Sequence, residues 1–232
     1  MSIVYLIPSL LAEDAIETIP LYVINAIEEC QVIFAENERT ARRFLKKIKK
    51  EIVINQFEWF TIHNREEIET VNFRQKIKEK KNIAIISEAG CPGVADPGQL
   101  LVNIAQEMNC IIKPLVGPNA ILLALMASGL NGQHFEFYGY LPVDNEKRAK
   151  KIKEIELDSQ KNKSTKIFIE TPYRNQQLLD AFLNNCKPMS RLCIAANLTS
   201  PQEWVKTKTI AQWKKEMPQL NKQPVIFLLQ GQ

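Results

Sequence analysis

The sequence predicts an α/β fold with a mainly parallel sheet in its first half and a mixed sheet in its second half. Short, continuously apolar segments, typical of strands buried on both faces, alternate with segments of helical periodicity. This alternation is regular in the first half of the 232 residues, whereas strands outnumber helices in the second half. Hydrophobic residues make up 45% of the chain, enough for a sizeable core, and the length suits one large or two small domains.

The elements of the first half follow one another as strand and helix. Strands are predicted at 3–7, 31–36, 83–87 and 110–116. Helices are predicted at 17–30, at 37–50, from Asn64 onward, at 97–108 and at 120–130. Asn64 and Glu67 form a capping box at the start of the third helix. The last helix is apolar nearly all round, which predicts that it is buried.

The elements of the second half are less regular in their order. Strands are predicted at 135–141, 166–171, 192–199 and 224–230, and helices at about 145–156 and 173–186. With more strands than helices, some neighbouring strands are expected to run antiparallel, which makes the second sheet mixed.

The composition of the chain argues against several classes of protein. The formal charge of +4 permits an anionic partner without demanding one. No apolar run approaches the ~18 residues that a membrane span needs, and the first fifteen residues lack the basic start and cleavage site of a signal peptide. The five cysteines are widely spread and only two histidines occur, so we expect no metal site, no disulfide framework and a reducing cytoplasm.

The segment SEAGCPGVADPG, from Ser87 to Gly98, holds three of the eight glycines. It joins the end of a predicted strand to a helix for which Asp96 is the expected N-cap, with Pro97 and Gln99 completing the start. Ligands of open α/β sheets bind beyond the carboxyl ends of strands, where glycine permits close approach of backbone. The segment matches neither GxGxxG nor the Walker A pattern, so a ligand held by backbone groups is favoured over a phosphate. The alternative is that these glycines only serve tight turns.

A second strand-to-helix loop repeats this pattern at 116–121, with the sequence VGPNAI. Gly117 allows the turn, and Asn119 is placed to cap the following helix. Because the two loops follow neighbouring strand–helix units, both are candidates to line one crevice.

Basic residues are concentrated in two segments, 39–50 and 147–153. The first contains seven lysines and arginines and no acid, and its apolar residues have the spacing of one buried helix face. Its exposed stripe is predicted to consist of Arg39, Arg42, Arg43, Lys46 and Lys50. Such a stripe is either a solvated face or a contact with the phosphates of RNA, and the sequence favours neither interpretation over the other.

Five segments, in order along the chain, resemble the motifs of one family. They read AENER at 35–39, SEAGCPGVADPG at 87–98, VGPNA at 116–120, GYLP at 139–142 and ETPYR at 170–174. Together they are similar to the tetrapyrrole methylase superfamily, and within it to the ribosomal RNA small-subunit (cytidine-2′-O-)-methyltransferases.

The resemblance implies two α/β domains, at 1–116 and 117–232, with S-adenosylmethionine bound in the cleft between them. It also implies a homodimer and small-subunit ribosomal RNA as the partner. The residues that it implies for the methyl donor are Pro8, Ser87, Glu88, Ala89, Gly90, Cys91, Pro92, Asn119, Ala120, Ile121, Thr171, Ala195, Asn197 and Pro224.

A ribose hydroxyl is a weak nucleophile when neutral, so a general base is expected to help methyl transfer. Glu88 is the preferred catalytic residue because its loop is expected to touch the donor, and Glu36 is the other candidate; Glu88 is alternatively only a ligand contact. Cys91 is expected to contribute its backbone and not its sulfur. The residues expected to bind the RNA are Glu36, Arg39, Arg42, Arg43, Lys46 and Arg174.

The chain departs from the family's motifs in three places, one of which is Glu88, where the family has Asp. The Gly-Asn pair of the first family loop is missing after Pro8, and Ala196 and Asn197 stand where the family has Arg and Glu. Two other functions therefore stay open: a methyltransferase for tetrapyrroles or other small molecules, and a catalytically idle module that binds the donor or RNA.

Overall fold

The computed structural model describes residues 1–62, 67–220 and 222–232, without the side chains of Glu67 and Ile68. The chain divides into two compact units, Met1–Asn119 and Ala120–Gln232. The predicted capping residue Asn64 lies outside the described residues.

The first unit is built on a five-stranded sheet in which all neighbouring strands are parallel, in the order β3-β2-β4-β1-β5. Because the strands are parallel, all of their carboxyl ends lie at one edge of this sheet. The strands are β1 (Ile3–Ile7), β2 (Val32–Ala35), β3 (Glu58–Thr61), β4 (Ile83–Ile86) and β5 (Ile111–Pro114). The helices are α1 (Leu21–Glu28), α2 (Glu38–Ile48), α3 (Glu67–Lys78) and α4 (Gln99–Glu107).

Helices cover both faces of this sheet. Side chains of alternating strand positions, such as Ile33 and Ile86, pack with α1 and α2 in one cluster. Those of the other face, such as Phe34 and Ile85, pack with α3 and α4 in a second cluster. The two-sided burial explains why the strands read as continuous apolar runs.

The second unit contains a five-stranded mixed sheet in the order β6-β7-β10-β8-β9. Only β6 and β7 are parallel; the other neighbouring pairs are antiparallel. The strands are β6 (Phe135–Gly139), β7 (Thr165–Ile169), β8 (Arg191–Ala196), β9 (Trp204–Thr209) and β10 (Val225–Gln230). The helices are α5 (Ala120–Ser128), α6 (Asn145–Asn162), α7 (Asn175–Asn185) and α8 (Ile210–Lys215).

The predicted fold class is confirmed, with a parallel sheet in the first half and a mixed sheet in the second. The first strand, β1, has the predicted bounds of 3–7. The strands β3 and β9 were not predicted, because they are half-exposed edge strands without a continuous apolar run. The short helix α8 was not predicted either.

Two local predictions were wrong. The helix α4 begins at Gln99 and has Gly98, in a left-handed conformation with φ of 118°, as its N-cap, so Asp96 does not cap it. The helix α5 is buried on one side only, because it packs against β8, β9 and β10 while Leu122 and Met126 remain exposed.

Within the described ranges, no helix is both long and apolar enough to cross a membrane. The same residues contain no group of three or more histidines, cysteines or acids arranged to hold a metal ion.

Candidate functional site

Loops that follow three neighbouring strands of the first sheet are joined at its carboxyl edge. The backbone N–H of Ser9, after β1, donates to the carbonyl oxygen of Gly90, after β4, at 2.8 Å, and the return bond from Gly90 to Ser9 is 3.1 Å. The Ser9 hydroxyl also donates to the carbonyl oxygen of Ser87 at 2.8 Å. The loops after β1 and β4 therefore form one fixed surface.

The loop after β5 joins this surface through Cys91, Gly117 and Pro118. The Cys91 thiol lies 3.7 Å from the carbonyl oxygen of Pro118. A Cβ atom placed on Gly117 would lie 2.2 Å from Cβ of Pro8, a distance at which one of the two loops has to move. Glycine at position 117 is thus what lets the loop after β5 approach the loop after β1. We call the ends of β1, β2, β4 and β5 with their loops the loop edge.

Three carboxylates, from Glu36, Glu88 and Asp96, lie together on the loop edge. The Glu36 side chain accepts a hydrogen bond from the backbone N–H of Glu88 at 2.9 Å. The Glu88 carboxylate accepts from the Thr40 hydroxyl at 3.2 Å. Among the described residues, no lysine or arginine nitrogen lies within 4.0 Å of any of these three carboxylates.

This arrangement changes the pKa of Asp96. Burial first, and then the charges of Glu36 and Glu88, raise the pKa of Asp96 to about 6, although a hydrogen bond with the Ser87 side chain acts in the opposite direction. The loop edge therefore carries negative charge that no cation of the described residues neutralises.

A cavity of about 270 Å³ opens beside Glu88, between α2 and the loops after β1 and β4. Its acidic wall includes Glu88 and Glu13, and its basic wall is formed by Arg43 and Lys47. The Lys47 ammonium also pairs with Asp14 at 3.1 Å, a carboxylate that is almost fully exposed. The cavity is thus lined by two cations and two carboxylates, of which Lys47 and Glu13 lie within 3.9 Å of each other.

The structure divides the predicted basic stripe of α2 into residues with partners and residues without. Arg42 pairs with Glu38 at 2.5 Å and lies over the ring of Trp59. Lys46 donates to the carbonyl oxygen of Lys50 at 2.8 Å. Arg39 and Arg43 are exposed and have no ion-pair partner among the described residues. These two arginines are therefore better placed for an outside anion than Arg42 and Lys46, whereas Lys47 is paired with the exposed acids Glu13 and Asp14.

Four of the six residues predicted for the donor in the second unit lie at one edge of its sheet: Thr171, Ala195, Asn197 and Pro224. Asn197, after β8, donates its backbone N–H to the carbonyl oxygen of Pro224, before β10, at 3.0 Å, and its side chain donates to Gln223 at 3.1 Å. Ala195 lies inside β8 opposite Ile226. Thr171 follows β7, which pairs with β10, so it belongs to the same edge.

Arg174, predicted to bind substrate, is held by a buried carboxylate instead of being free. Its guanidinium donates to the Glu170 Oε1 atom from Nη2 at 2.6 Å and from Nε at 3.1 Å. The backbone N–H of Thr171 donates to the same oxygen at 2.7 Å. The Glu170 side chain is 2% exposed, so this pair primarily fixes the loop after β7.

The remaining predicted residues lie near the boundary between the units and in the first loop. Asn119 ends the first unit, whereas Ala120 and Ile121 begin α5. Ala89 lines the cavity beside Glu88, and Pro92 is buried in the loop after β4.

Sequence reasoning missed four residues that shape the loop edge: Ser9, Thr40, Lys47 and Asp96. Ser9 and Thr40 act through contacts across 78 and 48 positions of sequence, which no local pattern shows. Lys47 belonged to the basic segment but not to the stripe chosen within it. The motif around Asp96 predicts only a helix cap, because the neighbouring Glu36 carboxylate comes from a distant position of the chain.

Comparison with solved structures shows the class of the fold. The methyltransferase CobJ superposes with a TM-score of 0.62 at 16% identity, over 99% of this chain and 94% of that chain. The uroporphyrin-III C-methyltransferase of Thermus thermophilus, complexed with S-adenosyl homocysteine, gives 0.58 at 11% identity, over 99% of this chain and 97% of that one. The two-unit fold is that of these methyltransferases.

Comparison with family models makes the assignment specific. The model of the Tetrapyrrole (Corrin/Porphyrin) Methylases matches residues 14–213, and the chain belongs to this family. The membership expected from the five motifs is therefore confirmed.

Two relatives are named "Ribosomal RNA small subunit methyltransferase I". That of Bacillus subtilis (strain 168) is 33% identical over 182 residues, which are 78% of this chain and 59% of that protein. That of Buchnera aphidicola subsp. Baizongia pistaciae (strain Bp) is 28% identical, over 99% of this chain and 76% of that protein. The chain thus matches less than two thirds of the length of the Bacillus relative.

Proposed function

We propose that the protein transfers a methyl group from S-adenosylmethionine to a ribose 2′-hydroxyl of small-subunit ribosomal RNA. The observation that carries this proposal is the loop edge, where three carboxylates without a cation partner adjoin a cavity with a basic wall. The names of the relatives in Bacillus and Buchnera support the choice of RNA.

The chemistry of the donor fits the loop edge. When bound, S-adenosylmethionine supplies a methyl group activated by a positively charged sulfonium. The carboxylates of Glu36, Glu88 and Asp96 provide a negative field for such a cation. The loops around Gly90 and Gly117 pack closely at this edge, and Gly117 permits the approach because a Cβ atom there would lie 2.2 Å from Cβ of Pro8. No phosphate-binding glycine loop is required for this ligand.

The first unit alone offers limited enclosure for this donor. Its cavity of about 270 Å³ lies at the small end of ligand pockets, which typically measure ~300–1,000 Å³. We therefore keep the proposal that the second unit completes the site, with the domains meeting near residues 116–119. Its contribution would come from Ala120, Ile121, Thr171, Ala195, Asn197 and Pro224.

Arg39, Arg43 and Lys47 are the residues that we propose to hold the phosphates of the acceptor. All three are on α2, and two of them form the basic wall of the cavity. Phosphate contacts of this kind position a nucleic acid and do not read its sequence. They would bring a ribose to the mouth of the cavity, next to Glu88.

Glu88 is proposed to take the proton from the ribose hydroxyl as the general base. The Thr40 hydroxyl donates a hydrogen bond to the Glu88 carboxylate at 3.2 Å and so helps to fix the orientation of that carboxylate. Positioning is expected to provide most of the rate, about 7–11 kcal/mol for a well-oriented pair. A base adds roughly 10²–10⁴-fold to that.

We also propose that the protein works in the cytoplasm as a homodimer. All five cysteines are free thiols, which suits a reducing compartment. Light scattering of the purified chain checks the dimer, and a monomeric mass at working concentration would contradict it.

The proposed function is tested by transfer of a labelled methyl group to unmodified small-subunit RNA, both naked and in reconstituted subunits. The expected result is one labelled ribose, located by mass spectrometry of nuclease fragments. A label on a base, or labelling of a tetrapyrrole and not of RNA, would overturn the proposal. Donor binding without labelling of any acceptor would favour the idle-module alternative.

A further inference from the structure

A second concavity lies wholly within the second unit, between α6 and α7. Its volume is about 460 Å³, and Arg148 from α6 forms part of its wall. The remaining wall consists mainly of amide side chains, among them Gln177 and Asn184 of α7, together with the carboxylate of Asp180. None of these residues belongs to the donor or substrate residues assigned above.

Arg148 has an unusual environment for a charged residue. Only 8% of it is exposed. Its guanidinium donates to the Val143 carbonyl oxygen at 3.2 Å and to the Asn145 side chain at 2.6 Å, while its Nε atom is buried without a partner. No carboxylate of the described residues lies within ion-pair distance of it.

A buried guanidinium without a counter-ion is costly, because the lost hydration is not replaced by an opposite charge. The nearby acid Asp144 is already used, since its side chain accepts from the backbone N–H of Lys147 at 2.9 Å and caps α6. The structure therefore leaves the charge of Arg148 to be balanced by an anion from outside.

The side chains in the wall of the concavity indicate which class of anion would bind there. Arginine forms paired hydrogen bonds with the oxygens of a phosphate. The carboxylate of Asp180 accepts from hydroxyl or amino groups, and the amides of Gln177 and Asn184 both donate and accept. A ligand that presents a phosphate together with sugar hydroxyls and base edges satisfies all of these groups.

Exposed lysines flank Arg148 along α6. Lys147 and Lys150 are exposed on the same helix, within the basic segment at 147–153. Exposed lysines on one helix extend the positive field along which a polynucleotide backbone binds. A free small anion gains little from charges spread in this way.

We propose that this concavity binds one nucleotide of the RNA acceptor, with a backbone phosphate at Arg148. This proposal rests on the proposed function, and it adds a second RNA contact on the second unit. It commits to a polynucleotide, and free phosphate is an alternative that the experiment separates.

The test measures binding of the full-length protein to a short, labelled, single-stranded RNA by fluorescence anisotropy over a series of salt concentrations. Asn184→Asp places a negative charge in the exposed wall and is expected to weaken binding about tenfold through repulsion of a phosphate. Arg148→Gln is expected to weaken binding as much and to lower the salt slope by about one unit. Gln133→Glu, an exposed change of the same charge elsewhere in the unit, is the control and should stay within about twofold.

Unchanged RNA affinity in a folded Asn184→Asp protein would overturn the proposal, whatever happens to Arg148→Gln. Inorganic phosphate that binds at this site while RNA affinity is the same in all variants would overturn it in favour of a small-anion site. Loss of RNA binding in both variants supports it, even where no methyl transfer is detected. Calorimetry with S-adenosylmethionine separates the two proposals, because these variants are expected to leave donor affinity unchanged.

Discussion

The two sheet edges at which donor residues were predicted differ in whether a cation balances their carboxylates. On the loop edge of the first unit, Glu36, Glu88 and Asp96 lie together, and no cation of the described residues pairs with them. On the edge of the second unit, the Glu170 carboxylate is held by the Arg174 guanidinium at 2.6 Å and by a backbone N–H. One edge carries unbalanced charge, and the other is internally neutralised.

The difference follows from topology. A fully parallel sheet brings the carboxyl ends of neighbouring strands, and the loops after them, to the same edge. The mixed sheet of the second unit alternates strand directions, so its edge joins the ends of β7 and β8 to the start of β10. We infer that the first edge provides the reactive groups, whereas polar pairs in the second edge primarily fix the backbone.

Removal of the proposed base should have the largest effect. Glu88→Gln is expected to lower kcat by about 10²–10⁴-fold, a larger effect than on the Kd for the donor, because Glu36 and Asp96 keep their carboxylates. Glu107→Gln, an exposed acid on α4, is the matched control and should keep full activity. Turnover of Glu88→Gln within about threefold of the wild type would show that positioning alone carries the reaction.

A substitution at the edge of the second unit should lower the stability of the protein and not its rate of methyl transfer. Glu170→Gln leaves the Arg174 guanidinium without its partner and is expected to lower the free energy of unfolding by about 1–3 kcal/mol, a range that allows for the partial exposure of Arg174. Urea denaturation measures this effect. Wild-type stability together with a loss of donor affinity would reverse the roles that we assign to the two edges.

The unbalanced charge predicts a particular dependence of stability on pH. Because the folded pKa of Asp96 is raised to about 6, the folded state binds more protons than the unfolded state between about pH 4 and 6. Stability contributed by this group is therefore lost as the pH rises through that window. Asp96→Asn should equal the wild type near pH 4 and exceed its free energy of unfolding by about 1–2 kcal/mol above pH 6. Parallel curves for the two proteins would show that Asp96 is not destabilised.

The basic wall of the cavity should produce the smallest effect. Replacement of Arg43 and Lys47 by Gln is expected to weaken RNA binding about three- to tenfold and to lower its salt slope by about two units. Lys78→Gln with Lys80→Gln, both exposed in the described part of the first unit, provides a control of equal charge. An equal loss in this control would mean that only net charge matters.

The sequence allowed much of the first unit to be predicted, because its strands and loops have strong local patterns. The strand at 3–7 and the loop at 87–98 lie where the apolar run and the glycines placed them. The bridge between Ser9 and Gly90 depends on the order of the strands, which local patterns do not contain.

The charge interactions of the site could not be predicted as well from the sequence. The environment of Asp96 depends on Glu36, which comes from another loop 60 positions away. Similarly, nothing in the basic segment of α2 distinguishes Arg42, which lies over Trp59, from Arg43, which lines the cavity.

The most direct test of the central claim, that the loop edge holds the methyl donor, is calorimetric titration with S-adenosylmethionine. The wild type and Gly132→Ala, where the added Cβ meets no atom within 4 Å, should bind alike. Gly117→Ala forces the loop after β5 away from Pro8 and is expected to weaken binding at least tenfold, consistent with an overpacking cost of about 1–3 kcal/mol. Absence of donor binding to the wild type, or equal binding to a folded Gly117→Ala protein, would contradict the claim.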